Sequence, residues 1–368
     1  LLLFKKLEMD CTPEREAQAV KDFIQCEEDI ASFSLPPKGE LEKTFTYLFG
    51  NVLSKLDQEI ANFELKPSHG PGATADGNIG NAKFVQKEWT DRLEEVFPFG
   101  EFALPSWRHF DGHRPVWLTE EQERPVKVTL VPKTLKSPRV IAIEPTCMQY
   151  MQQAVSRRLV SLLETDPICS SFIGFTDQEP NRRLAHEGSI TGDLATIDLK
   201  EASDRVSWAL VERLVRSWTN VRDALDATRS RVAKLPLNQG EIPLRKFASM
   251  GSALCFPVEA MVFVAITFLG IQRHSGHQRP NTLECVDRVR VYGDDIVVPA
   301  DSATAVMDAL CQYGMKVNTN KSFWTGKFRE SCGGDYYDGV WVTPLRCKSP
   351  MPSSRRDAAS LASWIVLR

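Results

Sequence analysis

The sequence predicts a mixed α/β (α+β) fold, and three local patterns predict it. About sixty N-terminal residues carry apolar side chains at helical spacing. Two short apolar runs, Val126–Val131 and Leu194–Leu199, then alternate as strands do. Two more, Val289–Tyr292 and Ile296–Val298, flank Gly293-Asp294-Asp295 and read as a β-hairpin.

Each element has a local cause. Thr12 before Pro13 is an N-cap followed by proline at the first helical position, and Val20, Phe23 and Ile24 form a stripe behind it. A second helix carries Leu41, Phe45, Leu48, Val52 and Leu56 on one face. The run from His69 to Asn78 is rich in Gly and Pro and reads as an irregular loop. After the strand ending at Leu199, a helix is expected with Val206, Leu210, Val211, Leu214 and Val215 inward. Another begins near Ser302, with Gly314 placed as its C-terminal cap.

At 368 residues the chain can bury a large core or support two to three subdomains. Its 42% hydrophobic and 25% charged content are those of an ordinary globular protein. A net charge of −3 excludes coating nucleic acid by bulk positive charge, so any such contact must come from local basic patches. Nine cysteines (at 11, 26, 147, 169, 255, 285, 311, 332 and 347) form no C-x-x-C pair, which points to a reducing cytoplasm without disulfides or zinc. The longest apolar stretch, Ala260–Ile271, is too short to span a bilayer, and no secretory signal is visible. The chain starts at Leu1 rather than Met and stops at Arg368 inside an apparently helical run, as a fragment would.

The chemistry concentrates in carboxylates. Asp198 closes a predicted strand, and Asp294 and Asp295 sit at a hairpin tip. Gly-Asp-Asp by itself is equally a tight turn, since turns favour both residue types. Apolar strands that deliver bare carboxylates to their ends need compensating charge, however, and two divalent cations would supply it. Such a pair suits phosphoryl transfer, in which positioning and electrostatics do most of the catalysis.

Further segments extend this pattern. They are Val131-Pro-Lys-Thr-Leu-Lys-Ser-Pro-Arg-Val-Ile-Ala-Ile-Glu-Pro145, Asn181-Arg-Arg-Leu-Ala-His-Glu-Gly-Ser189 and Thr196-Ile-Asp-Leu-Lys-Glu-Ala-Ser-Asp204. Ser249-Met-Gly-Ser-Ala-Leu-Cys-Phe-Pro-Val-Glu259, Tyr292-Gly-Asp-Asp295, Asn318-Thr-Asn-Lys-Ser-Phe323 and Phe328–Gly339 follow in order. Together with the Gly70–Thr74 loop, they resemble the replicases of single-stranded RNA bacteriophages, the levivirus-like RNA-dependent RNA polymerases. The resemblance covers roughly residues 70 to 345 and takes these segments as motif F, the segment before the catalytic strand, and motifs A to E.

The resemblance implies a right-handed polymerase fold. Residues 1–145 would hold N-terminal helices and fingers, and 146–345 the palm, with a fingers insertion at about 216–247. Residues 346–368 would begin a largely missing thumb. It implies two Mg²⁺ ions, with Mn²⁺ as a substitute, held by Asp198, Asp294 and the supporting Asp295. Lys133, Lys136 and Arg139 would bind the triphosphate, and Asp204 the ribose. Ser249 and Gly251 form the loop that approaches the nucleotide. Lys321 is the candidate acid that protonates departing pyrophosphate, although a phosphate-facing lysine is an alternative reading. Family members copy RNA from nucleoside triphosphates in the bacterial host cytoplasm without a membrane. They work with host elongation factors Tu and Ts and a ribosomal protein.

Cys255 and Pro257 depart from the family, where Thr and Glu are common. A reverse transcriptase would usually carry an aromatic residue after the motif A acid, but Lys200, Glu201, Ala202 and Ser203 include none, which favours ribonucleotides. A non-catalytic RNA-binding palm is the alternative of another class, and the intact acids argue against it. Arg124, Lys127, Lys133, Lys136 and Arg139 lie in an acid-free run from Arg124 to Ile143, and Lys316, Lys321, Lys327 and Arg329 form a second acid-free basic stretch. His274 and His277 lack a third ligand nearby and read as loop residues, while His186 reads as a structural hydrogen bonder.

Overall fold

The computed structural model describes residues 11–345 apart from 105, 107, 109–111, 113 and 133–136, and also Ser354. At its centre runs the helix Cys255–Ser275, packed against the helices Ala303–Gln312 and Glu40–Ala61. It is longer than the apolar run in the sequence suggests. Its 21 residues are long and apolar enough to cross a bilayer by length and composition, yet 89% of its most apolar window is buried inside the fold. The helix is apolar all round because it has protein on every side.

Beside it lies a three-stranded antiparallel sheet in the order Leu194–Ile197, Asp295–Pro299, Arg290–Tyr292. Ile296 stands opposite Ile197, and Asp295 opposite Tyr292. All four residues of the first strand are buried, as are Ile296 to Pro299. The expected hairpin and its flanking strands are therefore present, and the register brings the end of one strand beside the turn of the others.

A second sheet has the order Arg139–Ile143, Val126–Val131, Val232–Lys234, Glu241–Pro243. Val126 and Val128 point into a cluster with Val20 and Phe23, so the N-terminal helix Pro13–Ser32 covers this sheet. Lys127, between the two valines, is exposed. A third sheet, Phe328–Ser331, Gly334–Tyr337 and Val340–Trp341, packs against the helix Glu179–Thr191.

Three local expectations need correction. The strand from Leu194 breaks at Asp198 and resumes as Leu199–Lys200, which pairs instead with Lys316–Val317. The single helix expected after Leu199, with Val206 inward, is split into Ala202–Arg205 and Trp208–Val215; Val206 lies between them, and the Ser207 side chain accepts from the Leu210 amide. Arg329 is no part of a basic surface. Its side chain is fully buried and donates to the carbonyls of Leu194, Gly326 and Phe328. Lys327 is tied to Asp338 at 2.6 Å. Alternation cannot distinguish a phosphate-facing arginine from one that holds two strands together.

Residues 346–353 and 355–368, on which the expected thumb falls, lie outside the described residues.

Candidate active site

Asp198 is cradled by the segment that follows Val317. The Asn318 amide donates to the Asp198 carbonyl at 2.8 Å, and the Asp198 amide donates to Ser322 Oγ at 3.1 Å. Two backbone hydrogen bonds between Thr196 and Phe323 close the far end of this loop. The carboxylate is held on both sides. Asn318 Nδ2 donates to Oδ2 at 2.7 Å, and Lys321 Nζ lies 3.6 Å from Oδ1. Burial pushes the Asp198 carboxyl up, Lys321 and Asn318 pull it back, and Asp294 adds repulsion.

The Gly293-Asp294-Asp295 turn is built around an aromatic support. Gly293 has φ +60°, and a Cβ there would lie 2.3 Å from the Phe256 ring. Glycine is needed for the backbone conformation and for the close approach together. Phe256 in turn packs edge-on against Tyr292 and Phe175, and the Tyr292 hydroxyl donates to the Phe175 carbonyl at 2.9 Å. Asp294 is exposed at the tip. Asp295 is half-buried, with its carbonyl accepting from Asn181 Nδ2 at 3.2 Å. Burial and the neighbouring Asp294 push the Asp295 carboxyl up to about 6, while the Cys332 amide moderates the shift.

A fourth carboxyl, Glu259, completes the cluster from the central helix. Burial holds it well above the usual carboxylate range, and Asp294 and Asp204 reinforce this. The sequence reading placed Glu259 inside motif B and gave it no role. An acid within an otherwise apolar run was the available signal. Among the described residues no group of three or more His, Cys, Asp or Glu side chains is arranged to hold a metal ion by itself. The repelling acids nonetheless have the hard oxygen donors that suit a divalent cation completed by substrate phosphates.

The Ser249-Met250-Gly251 loop is fastened to the second sheet. The Ala142 amide donates to the Met250 carbonyl at 2.8 Å. Gly251 has φ +129°, and a Cβ there would lie 2.0 Å from the Ala142 carbonyl oxygen. Ser249 is buried, and among the described residues its hydroxyl has no hydrogen-bond partner. Arg139 is exposed, opposite Val131 at the start of its strand. Lys133 and Lys136 lie outside the described residues. Arg124, from the same basic run, is paired with Glu88.

Glu144 lies beneath this loop, accepting from Ser230 Oγ at 2.6 Å. Complete burial pushes its carboxyl up from 4.5 to about 7, against the opposing pull of Ser230, Gln152 and Arg229. The folded chain thus holds this proton more tightly than the unfolded chain does. The stability Glu144 contributes is full below about pH 4.5 and is lost as pH rises toward about 7, a difference of roughly 3 kcal/mol. Glu144→Gln is expected to flatten that decline, read as the difference in urea midpoint between about pH 5 and about pH 8. An unchanged pH slope in the variant would show that Glu144 is not the titrating group.

Asp204 lies in the short helix Ala202–Arg205 and is bound by the buried Lys246 at 2.9 Å. Nothing in the sequence around Asp204 announces this tie. Its partner lies 42 residues away, beyond the reach of any local pattern. His186 makes a structural hydrogen bond, its Nε2 donating to the Gly339 carbonyl at 3.0 Å.

Residues 118–358, well over half of the chain, match the family model described as RNA replicase, beta-chain. The chain belongs to this replicase family. It is 38% identical over 227 residues to the RNA-directed RNA polymerase beta chain of Escherichia phage MS2, an alignment covering 61% of this chain and 38% of that one. It is 37% identical over 224 residues to the RNA-directed RNA polymerase subunit beta of Escherichia virus Qbeta, covering 60% and 34%. The replicase chain thus spans little more than a third of the length of these relatives. Its mixed α/β structure also resembles the RNA-dependent RNA polymerase of a human picorbirnavirus. The TM-score is 0.52 at 12% identity, covering 95% of this chain and 70% of that one. That likeness concerns the fold alone.

Proposed function

We propose that this chain is the catalytic core of an RNA-dependent RNA polymerase that copies an RNA phage genome from nucleoside triphosphates. The observation that carries the reading is the meeting of Asp198 with the Gly293-Asp294-Asp295 turn: the register sets Ile197 opposite Ile296, and Asp294 adds repulsion at both Asp198 and Asp295. In this reading residues 1–145 supply fingers and 146–345 the palm, with a fingers insertion at about 216–247 and the thumb beginning in 346–368. RNA template and product, host elongation factors Tu and Ts and a ribosomal protein are the partners, in the cytoplasm of a bacterial host.

Asp198 and Asp294, with Asp295 in support, are the residues that would hold two Mg²⁺ ions or Mn²⁺ in their place. When bound, such ions lower the pKa of the attacking 3′-hydroxyl and neutralise the leaving pyrophosphate. The chain's own residues do the rest. Lys133, Lys136 and Arg139 grip the triphosphate through charge-assisted hydrogen bonds. Asp204 meets the ribose, and the Ser249–Gly251 loop bounds the nucleotide. Lys321, whose Nζ lies 3.6 Å from Asp198 Oδ1, is the acid that in this reading protonates the departing pyrophosphate.

The test is incorporation on an RNA template by the complete replicase. Ribonucleotides are expected to be strongly preferred, and chelation of divalent cations is expected to abolish incorporation until Mg²⁺ is restored. A preference for deoxyribonucleotides, or turnover that survives chelation, would overturn the proposal.

A further inference from the structure

Lys246 is the most deeply placed cation near the acids. Its side chain is fully buried, and Nζ lies 2.9 Å from Asp204 Oδ1 and 3.2 Å from Glu27 Oε1. The same ammonium sits 3.6 Å from the centroid of the Phe23 ring. Burial pulls the ammonium's pKa down, but Asp204 and Glu27 together hold it above its ordinary value, so the charge persists. The backbone here is fixed as well. The Arg245 amide donates to Glu27 Oε2 at 2.6 Å, and the Phe247 amide to the Val206 carbonyl at 2.7 Å. Three distant segments meet at one charge: the N-terminal helix, the short helix Ala202–Arg205, and the segment entering the Ser249 loop.

The two ends of this arrangement differ. Glu27 is buried, whereas the Asp204 side chain keeps 22% of its exposure. Lys246 engages Asp204 Oδ1, and among the described residues Oδ2 receives no hydrogen bond. An Asp anchored by one oxygen presents the other in a fixed direction. That second oxygen lies on the exposed side of the acid, where a ligand can reach it. Buried ion pairs in any case add little net stability over apolar packing.

We propose that Lys246 is a positioning residue for sugar selection: anchored by Glu27 and Phe23, it fixes the Asp204 carboxylate so that one oxygen faces the ribose of the incoming nucleotide. This rests on the reading that Asp204 meets the ribose, and it adds the N-terminal helix to the parts that decide between ribose and deoxyribose. Without the anchor the carboxylate turns freely, and its hydrogen bond to a 2′-hydroxyl loses preorganisation.

The experiment compares kcat/KM for a ribonucleotide and its deoxy form in the complete replicase carrying Lys246→Met, Lys246→Arg, Glu27→Gln or Asp204→Asn. Lys246→Met is expected to lower the ribo-to-deoxy ratio by about tenfold or more, the worth of one charge-assisted hydrogen bond, acting mainly through KM for the ribonucleotide. Lys246→Arg should recover part of the ratio, and Glu27→Gln should lower it less. A ratio that falls in Asp204→Asn but stays at the parental value in Lys246→Met overturns the positioning role and leaves the Asp204 reading intact. A ratio unchanged in Asp204→Asn overturns that reading itself. Should Lys246→Met unfold below the assay temperature, Glu27→Gln carries the test, because it keeps the lysine, weakens its second anchor and leaves one side-chain oxygen for the Arg245 amide. An unchanged ratio in that variant then overturns the proposal.

Discussion

Asp294→Asn in the complete replicase is expected to reduce nucleotide incorporation by about a thousandfold or more, because metal-assisted charge stabilisation is worth several kcal/mol. The same substitution is expected to leave the thermal midpoint unchanged or to raise it. Asp294 is exposed at the hairpin tip, and its charge is among the causes that raise the proton affinity of Asp198, Asp295 and Glu259. Removing it relieves repulsion at all three. Activity and stability should therefore move apart, as at other sites where function is maintained against local strain. Paired measurements of incorporation rate and thermal unfolding check this. Incorporation within tenfold of the parent would remove Asp294 from the metal-holding set.

The largest effect on stability is expected at Gly251. Alanine there combines a backbone conformation that L-residues rarely adopt with a Cβ 2.0 Å from the Ala142 carbonyl oxygen. Backbone strain alone costs about 1–3 kcal/mol, and displacing a strand carbonyl adds to it. Gly276 supplies the control. Its φ is +71°, but a Cβ there meets nothing within 4 Å. Gly276→Ala is accordingly expected to cost about 1 kcal/mol, and Gly251→Ala roughly three times as much or more. Urea midpoints of the two variants measure the difference, and equal costs would show that the loop can lift off the strand without penalty. Gly251→Ala is also expected to impair nucleotide incorporation, since the loop must leave Ala142 to accommodate the new methyl group.

The parts of this site that were legible in the sequence are those with short-range causes. Val289–Val298 announces a hairpin because apolar runs flank turn-forming residues, and the structure pairs Asp295 with Tyr292 accordingly. Asp198 was found because a carboxylate ends an apolar strand. The cradle around it was not, because Asn318 and Ser322 reach it from more than a hundred residues away. Arg329 was misread for a related reason. Its sequence neighbourhood is basic and free of acids, while its actual partners are backbone carbonyls, which leave no mark on composition. Lys246 shows the same limit. It stands beside Arg245 like any surface pair, and only the folded chain brings Glu27 and Asp204 to it.

The hold on Asp198 has a stereochemical consequence. A carboxylate oxygen has two lone pairs, and Asn318 takes one on Oδ2 while Lys321 leans on Oδ1. The group therefore cannot spin about its Cβ–Cγ bond without breaking a 2.7 Å hydrogen bond. In the proposed metal site, what would face an arriving cation is a pair of lone pairs at settled bearings, where a free aspartate would offer a rotor. The rotational entropy lost on capture is thus largely surrendered when the chain folds. Asn318→Ala should raise the Mg²⁺ concentration needed for half-maximal incorporation by the complete replicase, because it restores that rotation; an unchanged requirement would show that the hold on Asp198 does not matter to the cation.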